Sequence, residues 1–122
     1  MKASERDQIL FLEDIVLSMQ RVEEYVAGSD FRHFKQDYKT VDAVIRNFEV
    51  IGEASKNLSD AIKDKYPHVP WKEMYLLRNR ISHEYFGIDY EIIWNIVTKH
   101  LPENLKDINK VLENERLNKK WL

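Results

Sequence analysis

The chain contains no cysteine. That excludes disulfides, thiolate catalysis and cysteine-ligated zinc. Only three glycines and three prolines punctuate its 122 residues, too few for a turn-rich β fold. No run of about 18 apolar residues occurs, so no transmembrane helix is expected. The opening MKASERDQ lacks an apolar signal segment, and a soluble cytoplasmic protein is the expectation. Metal-ligand patterns are scarce too. Of the residues three before His33, His68, His83 and His100, only Asp30 is a carboxylate. The Glu-x-x-His pairs that build di-metal sites in helical bundles are thus missing, and neither metal nor cofactor is expected. There is no Gly-rich phosphate loop and no serine-nucleophile motif. A formal net charge of −2 argues against nonspecific coating of nucleic acid but permits a small local cationic site.

What is present is helical periodicity. Ser4 and Asp7 form a capping-box-like start. Ile9, Leu12, Ile15, Val16, Met19, Val22 and Val26 then recur at spacings of three and four, and Gly28 is a natural stop. Ser29 to Lys39 has no clear period and reads as a connection. Thr40 or Asp42 caps a second helix, whose stripe from Val41 through Ile62 runs to about Lys65. Gly52 sits inside it, at a cost of about 1 kcal/mol relative to Ala. Either another backbone approaches closely there, over the small residues of GEAS, or the helix kinks. A third helix is expected from about Pro70 to Tyr85, breaking at Gly87. Asp89 caps a fourth, with Ile92, Ile93, Ile96, Val97 and Leu101 inward. Pro102 forces a boundary or kink. A fifth segment carries Leu105, Ile108, Val111 and Leu112 and frays into ENERLNKKWL. The length suits one domain: an all-α, antiparallel four- to five-helix bundle over residues 1–115, with 116–122 as a frayed tail.

The chemistry concentrates in WKEMYLLRNRISHEYFGIDY, Trp71 to Tyr90. Trp71, Met74, Leu77 and Ile81 form a core stripe. Arg78, Asn79, Arg80, Ser82, His83 and Tyr85 crowd into eight residues. Arg78 and His83, five apart, diverge by about 140° on an ideal helix. One straight helix therefore cannot close both on one phosphate. Either the helix distorts before Gly87, or the site combines two chains. RNA cleavage through its own 2′-hydroxyl wants a base, an acid, and cations against the phosphorane charge. A two-fold dimer on this helix supplies two copies of His83 and of Arg78 around one cleft. Histidine serves as acid or base near neutral pH, and arginine grips phosphate bidentately. Asn79 orients His83 or a phosphate oxygen, and Arg80 and Ser82 are candidate RNA-phosphate contacts. The bland alternative is that Arg78 and Arg80 are ion-paired bundle residues and His83 offsets a helix dipole.

At RNRISHEYFGIDYEIIW the sequence resembles the HEPN superfamily, specifically the HepT-like toxins of HEPN/MNT toxin–antitoxin pairs. Arg78, the polar Asn79, His83 and Tyr85 fit the Arg-x-x-x-x-His-x-Tyr pattern. The likeness extends through VIRNFEVIGEASKNLSD, YPHVPW and FGIDYEIIWNIV, from about Asp37 to Leu105. It implies a helical bundle that dimerises with both motifs facing one cleft. It also implies a metal-independent endoribonuclease, with Arg78 and His83 catalytic, Asn79 supporting, and RNA, tRNA among the candidates, as substrate. The implied partner is a minimal nucleotidyltransferase antitoxin that transfers AMP from ATP to Tyr85. A non-catalytic helical subunit that binds or regulates such a transferase is the alternative.

Overall fold

The structure is a computed structural model that describes residues 4–82 and 89–118. Among these residues there are helices and no strand. The order is α1 (Glu5–Val26), α2 (Phe31–Gln36), α3 (Tyr38–Asn57), α4 (Asp60–Lys65), α5 (Trp71–Ser82), α6 (Tyr90–Asn95), a π-helical turn (Ile96–His100) and α7 (Leu101–Asn118). The all-α bundle expected from the periodicity is what forms. α1 packs on α3 and α7, and α3 packs on α5. One core joins them: Leu12, Ile15 and Met19 of α1 meet Val44, Phe48 and Ile51 of α3, Met74 of α5 and Ile108 of α7.

Local chemistry explains the boundaries. Ser4 and Asp7 close a reciprocal capping box, satisfying two otherwise unpaired N–H groups of α1. The chain leaves α1 through Gly28, whose φ of 75° is the left-handed region that glycine enters most easily. Asp89 accepts from the Ile92 N–H and starts α6 as expected.

Three expectations fail for physical reasons. The connection from Ser29 to Lys39 contains α2, which Asp30 caps through the His33 N–H. At six residues it is too short to show a period, yet it buries Phe34. The ring of Phe34 lies 5.1 Å from that of Trp94. α3 is capped by Asp37, not Thr40 or Asp42; its carboxylate accepts from both the Thr40 N–H and hydroxyl. The second helix does not run on to Lys65. It stops at Asn57, and Ser59 caps the separate α4. The Ser59 N–H in turn donates to Gln8 of α1 at 2.7 Å.

Ile92 is 40% exposed rather than inward, because Ile93, Val97 and Leu101 already fill that side. The boundary expected at Pro102 is present: the π-helical turn ends at His100 and α7 begins at Leu101. The turn before it widens so that the Leu101 N–H donates to the Ile96 carbonyl, five residues back. α7 then stays helical through Asn118, past the point where fraying was expected. Glu115 is buried there, accepting from the Tyr66 hydroxyl at 2.6 Å and from Lys65 Nζ at 2.9 Å. Arg116 donates to Glu13 of α1.

Candidate functional site

α5 carries the candidate site, and Trp71 fixes its start. The indole N–H donates to the Tyr66 carbonyl at 2.9 Å, while the Met74 N–H bonds to the Pro70 carbonyl. Trp71, Met74 and Leu77 are buried as the stripe requires. Arg78, next in sequence, is left on the outer face. Its Nη1 donates to Glu53 Oε2 at 2.6 Å, with the two side chains 46% and 51% exposed. The pair is thus a surface one, open to water and to ligand.

The reason Arg78 meets Glu53 is the neighbour of Glu53. Gly52 faces α5 so closely that a Cβ added there would stand 2.8 Å from Arg78 Cβ and 3.1 Å from both the Arg78 nitrogen and the Tyr75 carbonyl oxygen. Of the two readings of Gly52, close backbone approach is the one realised. It lays Glu53 alongside the base of the Arg78 side chain.

On one flank of this crossing is an open groove of about 470 Å³ between α1, α3 and α5. Phe11, Asp14, Arg46, Glu49, Val50, Glu53, Ala54, Asn57 and Arg78 line it. Its three carboxylates outnumber its two guanidiniums, and Arg46 is drawn towards Glu49 at 3.7 Å. Such a lining does not favour a polyanion. On the other flank Lys56, Lys63 and Lys72 border a pocket with Trp71 and Tyr75.

Asn79, Arg80 and Ser82 lie on the last turn of α5. His83 and Tyr85 lie outside the described residues, and so does the expected divergence of His83 from Arg78. Sequence reading missed Glu53 as the partner of Arg78. Its signal was available: Glu53 follows the one glycine that a close helix crossing requires. His33 is tied to its own helix start, with Nδ1 2.7 Å from Asp30. Its backbone N–H, and then its ring, hold the Asp30 carboxyl below the usual carboxylate range. No group of three or more His, Asp or Glu side chains suited to a metal ion occurs among the described residues. No helix among them is long and apolar enough to cross a membrane.

The model of the family described as "Ribonuclease HepT-like" matches residues 15–111. A Methanocaldococcus jannaschii protein named "Putative RNase MJ0127" is 45% identical over 108 residues, covering 88% of this chain and 89% of that one. "Probable ribonuclease HepT" of Thermococcus cleftensis is 41% identical over 102 residues, covering 84% and 90%. "Putative RNase TTE0752" of Caldanaerobacter subterraneus is 39% identical over 106 residues, covering 87% and 95%. No solved structure matches.

Proposed function

Because the chain belongs to the HepT-like ribonuclease family, we propose that it is an endoribonuclease whose catalytic residues are Arg78 and His83. The observation that carries this reading is Arg78 itself: an outward guanidinium, preset by Glu53, on the helix that leads directly into His83. Arg78 holds the scissile phosphate and meets the charge that builds on it in the transition state. His83 takes the proton from the attacking 2′-hydroxyl, and the leaving 5′-oxygen needs a proton from a second group. One histidine cannot be base and acid at once, so a homodimer that brings two motifs to one cleft completes the site. Asn79 supports His83, and Arg80 and Ser82 contact flanking phosphates. The reaction needs no metal, because the attacking group belongs to the substrate and the chain's own cations serve the phosphate.

In this reading the protein is the toxin of a type VII-like toxin–antitoxin pair. A cognate nucleotidyltransferase silences it by moving AMP from ATP onto Tyr85. The added phosphodiester and base occupy the mouth of a site built for RNA phosphate, and tRNA is among the candidate substrates.

The test is purified protein with total RNA. Wild type should cleave in the presence of chelator and leave 2′,3′-cyclic phosphate ends. Arg78→Ala and His83→Ala should not cleave, while keeping the helical circular dichroism of the wild type. Wild-type-level cleavage by His83→Ala would overturn the proposal. A chain that binds the transferase but never cuts RNA would instead be a regulatory subunit.

A further inference from the structure

The cations of this surface are unevenly tied. Lys65 is held by the buried Glu115, Arg116 by Glu13, Arg46 by Glu49 and Arg78 by Glu53. Lys56, Lys63 and Lys72 are in no ion pair among the described residues. These three come from three helices, α3, α4 and α5, yet border one pocket of about 430 Å³. No carboxylate lines it. Like charges gathered without a counter-ion repel one another, so the arrangement is relieved by an anion brought from outside.

The rest of the lining is aromatic: Trp71 and Tyr75. Trp71 is locked by its bond to Tyr66, whereas Tyr75 is partly exposed. Cations beside an accessible ring are what single-stranded nucleic acid uses. Phosphates take the cations, and a base stacks on the ring.

Position ties the pocket to Arg78. Lys72, Tyr75 and Arg78 are each three apart on α5, neighbours on successive turns. Lys72 and Arg78 are separated by about 9 Å along the helix axis. The Gly52 crossing brings Lys56, one turn further along α3, to the same side. The groove that Arg78 itself lines carries Asp14, Glu49 and Glu53, whereas the lysine pocket carries no carboxylate, so charge favours the lysines for a strand that continues from Arg78.

We propose that Lys56, Lys63, Lys72 and Tyr75 form an RNA-binding subsite that holds the single strand flanking the scissile phosphate. The lysines take backbone phosphates and Tyr75 stacks a base, without reading sequence. The subsite rests on the reading of the chain as a ribonuclease, and its test is separate from the cleavage test.

The probe is a fluorescein-labelled, fully 2′-O-methylated single-stranded oligonucleotide, which lacks the attacking hydroxyl and so cannot be cleaved. Anisotropy follows its binding across a salt series. The triple variant Lys56→Gln, Lys63→Gln, Lys72→Gln should bind roughly tenfold or more weakly in low salt. The slope of log affinity against log salt should shrink by about 2, at about 0.7 per phosphate for single strands. Tyr75→Ala should lose about tenfold and Tyr75→Phe little, as stacking requires. These side chains face solvent wholly or in part, so circular dichroism should be unchanged. Wild-type affinity and slope in the triple variant would overturn the subsite even if total RNA is still cut. So would retained probe binding with loss of a protein partner, which assigns the pocket to that partner. A wild-type protein that cleaves RNA but ignores the probe also overturns the subsite; one that does neither removes the ribonuclease reading as well.

Discussion

Gly52 and Arg78 face each other so closely that α3 has no room for a side chain at the crossing: a Cβ on Gly52 would lie 2.8 Å from Arg78 Cβ. The contact joins a helix-breaking residue to the candidate catalytic cation, and it decides the sign of a simple substitution.

Gly52→Ala should destabilise the protein. In an open helix the change would gain about 1 kcal/mol. Here the new methyl meets Cβ and backbone atoms, none of them the yielding end of a long side chain. Overpacking of this kind costs about 1–3 kcal/mol. A net loss of up to about 2 kcal/mol is expected from urea unfolding, with reduced RNA cleavage as Arg78 shifts. A more stable Gly52→Ala protein would show that the helices part freely.

Glu53 makes a different prediction, because its bond to Arg78 lies at the surface. Exposed ion pairs contribute between about 0 and 1 kcal/mol. Glu53→Gln keeps an acceptor oxygen for Arg78 and removes the competing negative charge. Its stability should change by less than about 1 kcal/mol, while KM for RNA falls. Glu53→Ala removes the acceptor as well, and its kcat should drop. Equal effects of the two variants on KM and kcat would mean that Glu53 does not preset Arg78.

For Tyr85 the measurement is intact mass. Incubation with the cognate transferase and ATP should add mass in steps of AMP, with cleavage lost in parallel. Tyr85→Phe should remain unmodified and active. Modification that persists in Tyr85→Phe would move the acceptor elsewhere.

The anchor of α7 gives a pH prediction. Burial, then the hydrogen bond to Glu115, pushes the Tyr66 phenol above its ordinary 10.0. The bond to Glu115 likewise raises Lys65 above its ordinary 10.5. Both groups are protonated in the fold and lose their protons more readily when unfolded. Their contribution is therefore complete below about pH 10 and is lost as pH rises through the raised values. Tyr66→Phe should cost about 2 kcal/mol at pH 7 by urea unfolding, since a bond to a buried carboxylate is removed. It should also flatten the decline in stability above pH 10. A wild-type alkaline profile in Tyr66→Phe would place the sensitivity at another group.

Much of this architecture was legible in the residues, and the exceptions share a cause. Long stripes such as Ile9 to Val22 and Val41 to Ile51 announced their helices because each repeats one period over about three turns or more. α2 was missed, and α4 was read as the end of the second helix, because six residues give no period of their own to count. Their caps, Asp30 and Ser59, were the only local signals. The end of α3 before Ser59 is set by a partner far away in sequence, the Gln8 side chain that accepts its N–H. The same division holds at the site. The motif marked Arg78, but its bond to Glu53 and the separate lysine pocket arise where helices cross, and a linear pattern does not encode that.

The π-helical turn at Ile96–His100 has a consequence for rotation. Ile93 and Leu101 are both buried, yet they are eight residues apart. In an uninterrupted α-helix they would point about 80° from each other. A π turn takes up one extra residue, so the pair behaves as if seven apart, within about 20°. Everything beyond it is turned with Leu101: Ile108 towards the core, Glu115 towards Tyr66, Arg116 towards Glu13. A single residue of slack beside Pro102 thus sets the phase of the last helix, and with it the clamp that closes the bundle against α4.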